Sequence, residues 1–332
     1  MRALVTGGGG FLGQALVRRL VSKNYDVVSL TRQHYSALAE LGVEQVQGSI
    51  ADEETVSNAA QGADVIFHVA VKAGMWGPYS EYFQTNVVGT ENVIAACRQH
   101  GINRLVYTST PSVVHGGGSI EGQDESLPYA ETFLAHYPRT KVLAEQAVLA
   151  ANDEALATVA LRPHLIWGPG DNHLAPRMIA RQKMGRLRLI GNGENLVDSV
   201  FVENAVDAHL CAFEKLNPGS VCSGKAYFIS QDEPLPVKTL MNGILESAGL
   251  EPVTKSIAPG LAYFVGLLFE TTYGTFGVKS EPMMTRFLAK QLATAHWFNI
   301  QAAKNDLGYK PSISVREGMD ILRQHYHGEE SG

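Results

Sequence analysis

The sequence predicts an α/β fold: a doubly wound parallel sheet with a smaller C-terminal substrate-binding lobe. Three observations carry this. Apolar runs of strand length alternate with helical patterns through the first half of the chain. The first of these runs ends in a glycine-rich turn that opens a helix. The 332 residues, 45% hydrophobic and 18% charged, are enough to bury one large core and a lobe beside it.

In chain order, the strand 2–6 holds Ala3, Leu4 and Val5 in a row, as a strand covered on both faces requires. Gly7, Gly10 and Gly13 follow at G-x-x-G-x-x-G spacing. Glycine serves such a turn in three ways: tight backbone geometry, close approach of a pyrophosphate, and packing of the next helix on the sheet. That helix spans 11–22, with Leu12, Leu16, Val17 and Leu20 on one face. Its N-terminal amides and dipole point at the phosphate position. Gly7, Gly10, Phe11, Leu12 and Gly13 are therefore expected to hold a dinucleotide.

A second strand, 27–30, leads to Thr31 and Arg32. An NAD site usually has an acid here for the ribose 2′-hydroxyl. This chain has no carboxylate to repel a 2′-phosphate, and Arg32 can pair with one, which favours NADPH/NADP over NADH. After the third strand, 44–47, comes Gly48-Ser49-Ile50, the expected place of the adenine. After the fourth, 64–69, Ala70 is small where the backbone passes the pyrophosphate. The loop 71–79, with Lys72, Gly74, Trp76 and Gly77, reads equally well as a substrate entrance or as a surface loop with one packed tryptophan. A helical pattern covers about 81–100.

The fifth strand, 104–108, ends in the hydroxyls of Thr108, Ser109, Thr110 and Ser112 around the strand-breaking Pro111. The segment Tyr137-Pro138-Arg139-Thr140-Lys141 then opens a helix to about 152, with Pro138 suited to its first position. Tyr137 and Lys141 are four apart and can face the same side. A phenol titrates near pH 10, and a nearby ammonium together with a nicotinamide cation would lower that value. General acid–base chemistry at a carbonyl or an alcohol needs such a group. A sixth strand covers 157–161.

The net charge of −6, with no basic stripe, argues against nucleic acid as the main partner. The glycine motif lies almost at residue 1, so no signal peptide is expected. The three cysteines, Cys97, Cys211 and Cys222, have no metal-ligand spacing. A cytoplasmic protein with no metal follows. No run is long enough to span a membrane; the apolar stretch 257–269, interrupted by Pro259 and Gly260, reads as a buried helix or an interfacial segment. Arg177, Arg181, Lys183, Arg186 and Arg188 form a basic run that binds a substrate carboxylate or solvates a helix face.

With these pieces assembled, the chain resembles the extended short-chain dehydrogenase/reductase family, the NAD-dependent epimerase/dehydratase-like proteins with a Rossmann-type sheet. The resemblance rests on residues 6–13, Asn86-Val87-Val88-Gly89-Thr90, the hydroxyls at 108–112, the 137–141 segment, Leu161-Arg162-Pro163-His164-Leu165-Ile166-Trp167-Gly168-Pro169, and Phe298-Asn299-Ile300 with Leu307-Gly308-Tyr309-Lys310-Pro311. It implies a catalytic tyrosine at Tyr137, a lysine at Lys141 that also holds the nicotinamide ribose, and a hydroxyl partner at Thr110, with Ser109 and Ser112 as rivals. It adds Ile50, Ala70, Pro163 and Leu165 to the cofactor site. Thr110 stands where serine is commoner, and Ser49 where relatives often carry an acid for the adenine.

Val197 replaces the arginine with which sugar-nucleotide epimerases and dehydratases grip the diphosphate. The pattern is closer to the 3β-hydroxysteroid and sterol-dehydrogenase branch. Within it, residues 72–77 and 137–141 are most similar to bacterial 2-alkyl-3-oxoalkanoate reductases of long-chain olefin biosynthesis. The resemblance implies NADPH-dependent reduction of a ketone to a secondary alcohol, on a hydrophobic small molecule such as a long-chain 2-alkyl-3-oxoalkanoate. A sterol dehydrogenase, a sugar-nucleotide epimerase or dehydratase, and a non-catalytic NADP-binding regulator are the alternatives. Residues 1–165 are expected to form the dinucleotide-binding domain, with 200–230 returning to it and 166–332 mainly building the substrate lobe. A homodimer, a complex of pathway enzymes, and an interfacial contact through 257–269 all remain open as associations.

Overall fold

Strands with no polar face can only lie in a sheet covered on both sides, and the chain builds one. The computed structural model describes residues 1–329. Seven parallel strands form the central sheet: β1 (Arg2–Thr6), β2 (Asp26–Thr31), β3 (Glu44–Gln47), β4 (Val65–His68), β5 (Arg104–Thr108), β6 (Ala157–Pro163) and β7 (Lys225–Ile229). Their order across the sheet is β7-β6-β5-β4-β1-β2-β3. The alternation of side chains along β1 divides the core. Ala3 and Val5 join the cluster under helices Phe11–Ser22 and Val202–Lys215, while Leu4 joins the one under Glu53–Ala60, Gly89–His100 and His136–Ala150. The strand order reverses between β1 and β4, which opens a crevice at the carboxyl ends of the strands.

Two helical expectations change in detail. The pattern at 81–100 is a helix Tyr79–Phe83, a π turn Gln84–Val88 and a helix Gly89–His100. The helix expected to begin at Tyr137 begins at His136 and ends at Ala150, so Pro138 is its third residue. That position costs nothing, because first-turn amides have no partner within the helix.

The second half packs around Trp167, Phe201, Leu240 and Ile244, between helices Leu174–Lys183, Val237–Ser247 and Val315–Glu329. A small four-stranded sheet ties it to the first half: Leu235–Pro236, Leu196–Val197, His296–Phe298 and Ile120–Gln123 pair in that order. The apolar stretch at 257–269 is not a buried helix. Ile257 ends the short strand Ser256–Ile257, and 259–269 lies in helix Pro259–Thr275, which buries only Ala262 and Gly266. A Cβ on Gly266 would come within 2.6 Å of the Thr285 carbonyl carbon, so the contact with the segment leading into helix Arg286–Ala293 is backbone on backbone. Leu261, Phe264 and Leu268 face outward, 53%, 54% and 49% exposed. No helix among the described residues is long and apolar enough to cross a membrane.

Candidate active site

A cleft of about 710 Å³ runs along the carboxyl ends of the strands. It is lined by Gly7, Gly10, Phe11, Leu12, Gly13, Thr31, Arg32, Ile50, Ala70, Pro163 and Leu165, together with Thr110, Tyr137 and Lys141. Every residue nominated from the sequence for cofactor or catalysis thus borders one cavity.

The glycine turn is as tight as its composition demands. Gly7 has φ +73°, and a Cβ there would lie 2.7 Å from the Ala70 Cα. A Cβ on Gly13 would overlap the Gly7 carbonyl oxygen. Gly10 caps helix Phe11–Ser22 without a side-chain hydrogen bond, and no acidic residue stands in the first turn. The helix therefore offers bare amides and the positive end of its dipole to the cleft, the arrangement that fits a pyrophosphate. At the far end, Thr31 is buried and its hydroxyl donates to the Gln33 carbonyl at 2.7 Å. Arg32 is exposed at the rim, with no ion-pair partner among the described residues. These residues fit a nicotinamide dinucleotide, and the acid that would select against a 2′-phosphate is missing.

The chemistry-bearing side chains come from two elements. Thr110 follows β5; its Oγ1 accepts from the Ser112 amide at 3.2 Å and lies 3.2 Å from Ser112 Oγ. Tyr137 and Lys141 rise from helix His136–Ala150. Burial pushes the Tyr137 phenol up to about 12, and the hydrogen bond of the Thr110 hydroxyl pulls the other way. Lys141 is only 2% exposed, and its Nζ donates to the Tyr107 hydroxyl at 2.6 Å and the Thr108 carbonyl at 2.7 Å. Burial lowers its ammonium to about 7, opposed by the charge of Glu145. The expectation that Lys141 lowers Tyr137 is thus corrected for the free protein: the ammonium is directed at the end of β5, and burial dominates at the phenol. Of the three rival hydroxyls, Thr110 stands against Tyr137, Ser112 bonds Thr110, and Ser109 turns away to donate to Glu145.

Several supporting roles escaped the sequence reading. Glu145, fully buried, binds Arg162 of β6 at 2.5 Å and accepts from Tyr129 at 2.9 Å and from Ser109. Its place four residues past Lys141 on one helix was the available signal. Asn86, in the π turn, accepts from the Lys72 amide at 2.8 Å and donates to Thr140 Oγ1 at 3.0 Å. It thereby fixes the 71–79 loop to helix His136–Ala150. His68 links Thr6 at 2.7 Å and Thr90 at 2.9 Å beneath the glycine turn, and burial drives it down to about 3. Leu165, in the cleft wall, has φ +37°, a strained value for a branched side chain that no local sequence pattern announces.

The candidate carboxylate receivers fare differently from expectation. Lys72 lines the cleft but pairs with Glu81 at 2.8 Å. Arg177 pairs with Glu281 at 3.0 Å, Arg181 donates to the Met283 carbonyl, and Arg188 to the carbonyls of Gly185 and Leu187. Arg177 and Arg181 thus tie their helix to the segment 281–283, while Arg188 bonds only its own turn. Trp76 donates to the Val278 carbonyl at 2.8 Å, so the 71–79 loop is packed against the segment that follows helix Pro259–Thr275. Val197 is buried in its short strand and presents no cation to a diphosphate.

Comparison with known proteins agrees with this geometry. Residues 4–258 match the 3-beta hydroxysteroid dehydrogenase/isomerase family. A 2-alkyl-3-oxoalkanoate reductase of Stenotrophomonas maltophilia is 52% identical, over 97% of this chain and 98% of its own. The decarboxylating sterol-4-alpha-carboxylate 3-dehydrogenase of Mus musculus is 34% identical, over 98% of this chain and 91% of its own. A UDP-glucose 4-epimerase from Thermotoga maritima, solved with UDP-glucose, superposes with a TM-score of 0.78 at 20% identity over 100% of both chains, a likeness of fold alone. The chain is an oxidoreductase that belongs to the 3-beta hydroxysteroid dehydrogenase/isomerase family, within the extended short-chain dehydrogenases/reductases.

Proposed function

We propose that this protein uses NADPH to reduce the 3-ketone of a long-chain 2-alkyl-3-oxoalkanoate to the 2-alkyl-3-hydroxyalkanoate. The observation that carries the reading is the convergence of Thr110, Tyr137 and Lys141 on a cleft whose glycine turn suits a dinucleotide and whose rim presents Arg32 with no acid. Held by Gly7, Gly10, Phe11, Leu12, Gly13, Thr31, Arg32, Ile50, Ala70, Lys141, Pro163 and Leu165, NADPH supplies the hydride. Tyr137 gives its phenolic proton to the ketone oxygen, and Thr110 hydrogen-bonds that oxygen, so negative charge does not accumulate there. Lys141 holds the end of β5 and a ribose hydroxyl. We assign residues 1–165 with 200–230 to cofactor binding and most of 166–332 to the substrate. All three thiols are unpaired, which suits the reducing cytoplasm where this reading places the enzyme.

The name of the Stenotrophomonas maltophilia relative supports the substrate class. The name of the Mus musculus relative supports a second reading, a sterol acid. Both names describe a carboxylate on the carbon next to the reacting one, so the two readings share a β-oxo acid and differ in its carbon skeleton. The buried Val197 disfavours a sugar nucleotide, and intact Tyr137 and Lys141 disfavour a non-catalytic regulator.

NADPH oxidation assayed side by side on 2-alkyl-3-oxo acids of increasing chain length, a 3-ketosteroid acid and a nucleotide sugar tests this. Each methylene buried contributes about 0.8 kcal/mol, so kcat/KM should rise about fourfold per carbon until the cavity ends. A flat dependence on chain length, or faster turnover of either competitor, overturns the reading.

A further inference from the structure

We propose that Tyr107 is a positioning residue for catalysis, its hydroxyl holding the Lys141 ammonium so that one N–H is left for the cofactor ribose. This rests on the catalytic assignments made above and not on the choice of substrate. Tyr107 lies on β5, is 1% exposed and does not belong to the lining of the cleft. Its hydroxyl is nevertheless 2.6 Å from Lys141 Nζ, and its ring centroid is 4.1 Å from the same atom.

The direction of this bond follows from counting protons. Thr90 Oγ1 donates to the Asn86 carbonyl at 2.7 Å. A hydroxyl has one proton. Toward its other two neighbours, His68 Nε2 at 2.9 Å and the Tyr107 hydroxyl, Thr90 can therefore only accept. His68, which burial keeps neutral, must carry its proton on Nε2 and accept at Nδ1 from Thr6 Oγ1 at 2.7 Å. Thr6 in turn accepts from the Ala70 amide at 3.2 Å. The Tyr107 proton goes to Thr90, so its oxygen offers Lys141 lone pairs alone.

A charged lysine has three N–H bonds. Lys141 gives one to Tyr107 and one to the Thr108 carbonyl at 2.7 Å, both on β5. The third is free for the cleft that Lys141 lines. An uncharged amine has two N–H bonds, β5 takes both, and none remains for a ribose. The charge therefore matters, and an acceptor at Nζ favours it against burial. The other titratable groups around Lys141 are His68 of β4, Tyr137, and Glu145 one turn along the helix, whose charge is shared with Arg162 of β6.

The chain of bonds does not carry protons away. It ends on backbone groups, the Ala70 amide and the Asn86 carbonyl, and neither is an acid or a base near neutral pH. Its effect is on orientation. Ala70 also stands against Gly7, so the same bonds tie Lys141 to the glycine turn.

Tyr107→Phe deletes the hydroxyl and keeps the ring against Nζ. Two quantities are read from pH 6 to 8: kcat/KM for NADPH at a saturating ketone, and NADPH affinity by fluorescence titration without ketone. Melting temperature checks the fold. A hydrogen bond to a charged group moves its titration by about one pH unit or more. Both quantities in Tyr107→Phe should lie within about twofold of the parent at pH 6 and about tenfold below it at pH 8. Thr90→Val removes the acceptor that orients the phenol and should shift the profile the same way by less. Thr90→Ser should restore the parent's profile. A Tyr107→Phe profile that coincides with the parent's overturns the proposal, as does a loss of equal size at every pH, the mark of a merely structural role. If Tyr107→Phe does not fold, Thr90→Val and Thr90→Ser decide, and equal profiles for the two overturn the proposal. A Lys141→Ala variant that keeps the parent's NADPH affinity and turnover instead overturns the catalytic assignment on which the proposal rests.

Discussion

At the scale of single residues, Tyr137 makes the most specific demand. Burial holds its phenol at about 12, so it stays protonated throughout the neutral range. Ketone reduction needs that proton, so Tyr137 itself adds no pH dependence between pH 6 and 9; a change in that window belongs to Lys141, whose ammonium burial lowers to about 7. Oxidation of the hydroxy acid needs the phenolate and should accelerate as pH rises through the same range. A reduction rate that falls steeply from pH 6 to 8 and keeps that fall in Lys141→Arg would contradict this assignment. Tyr137→Phe should lower turnover by about 10² to 10⁴ while NADPH still binds. Thr110→Ala should lower kcat, whereas Ser109→Ala should mainly lower stability, because Ser109 is a donor to the buried Glu145. Loss of turnover in Ser109→Ala at unchanged stability, read by melting and kinetics together, would reassign the hydroxyl. The glycine turn and the shared face of Tyr137 and Lys141 were legible because both depend on local spacing. The separation of Ser109 from Thr110 was not, because a partner 36 residues along the chain decides it.

At the scale of elements, helix His136–Ala150 is held on three sides. Lys141 bonds the end of β5, Glu145 bonds Arg162 on β6, and Thr140 bonds Asn86 in the π turn. The placement of Tyr137 depends on all three. Replacing one partner of a buried pair leaves the other charge uncompensated, so Arg162→Met should cost about 3–5 kcal/mol of stability. Glu145→Leu combined with Arg162→Met should restore much of that, yet still lower kcat, because Tyr129 and Ser109 lose their shared acceptor. Chemical unfolding of the variants checks it; a cost below about 1 kcal/mol for Arg162→Met would show that the pair does not hold the helix. The π turn shows the limit of periodicity. Apolar spacing announced a helix over 81–100, but the extra residue that turns Asn86 inward changes hydrogen bonding without changing the apolar pattern.

At the scale of the whole molecule, the alternation of strands and helices made the seven-stranded sheet readable, since its inner strands are largely apolar runs; the edge strand β3, Glu44-Gln45-Val46-Gln47, is the exception. The small sheet was not readable: its strands are two to four residues long, and Val197 finds His296 across the chain. Composition left helix Pro259–Thr275 open between a buried helix and an interfacial segment, and the exposure of Leu261, Phe264, Leu267 and Leu268 removes the first. The cleft joins both halves, with the glycine turn and Arg32 from the first and His173 and Gln291 from the second. A ligand that binds only this assembled form must raise the stability of the whole. At a hundredfold excess over its Kd the gain is about 2.7 kcal/mol, or several degrees in Tm. The proposed use of NADPH puts a 2′-phosphate at Arg32 with no acid to repel it, so NADPH should raise Tm more than NADH at equal concentration. Thr31→Asp should shrink or invert the difference by placing a carboxylate beside that phosphate and offering the 2′-hydroxyl a partner. Thermal melts of both proteins with each cofactor decide the matter. A larger shift with NADH for the parent protein would show that Arg32 is only a solvated surface residue.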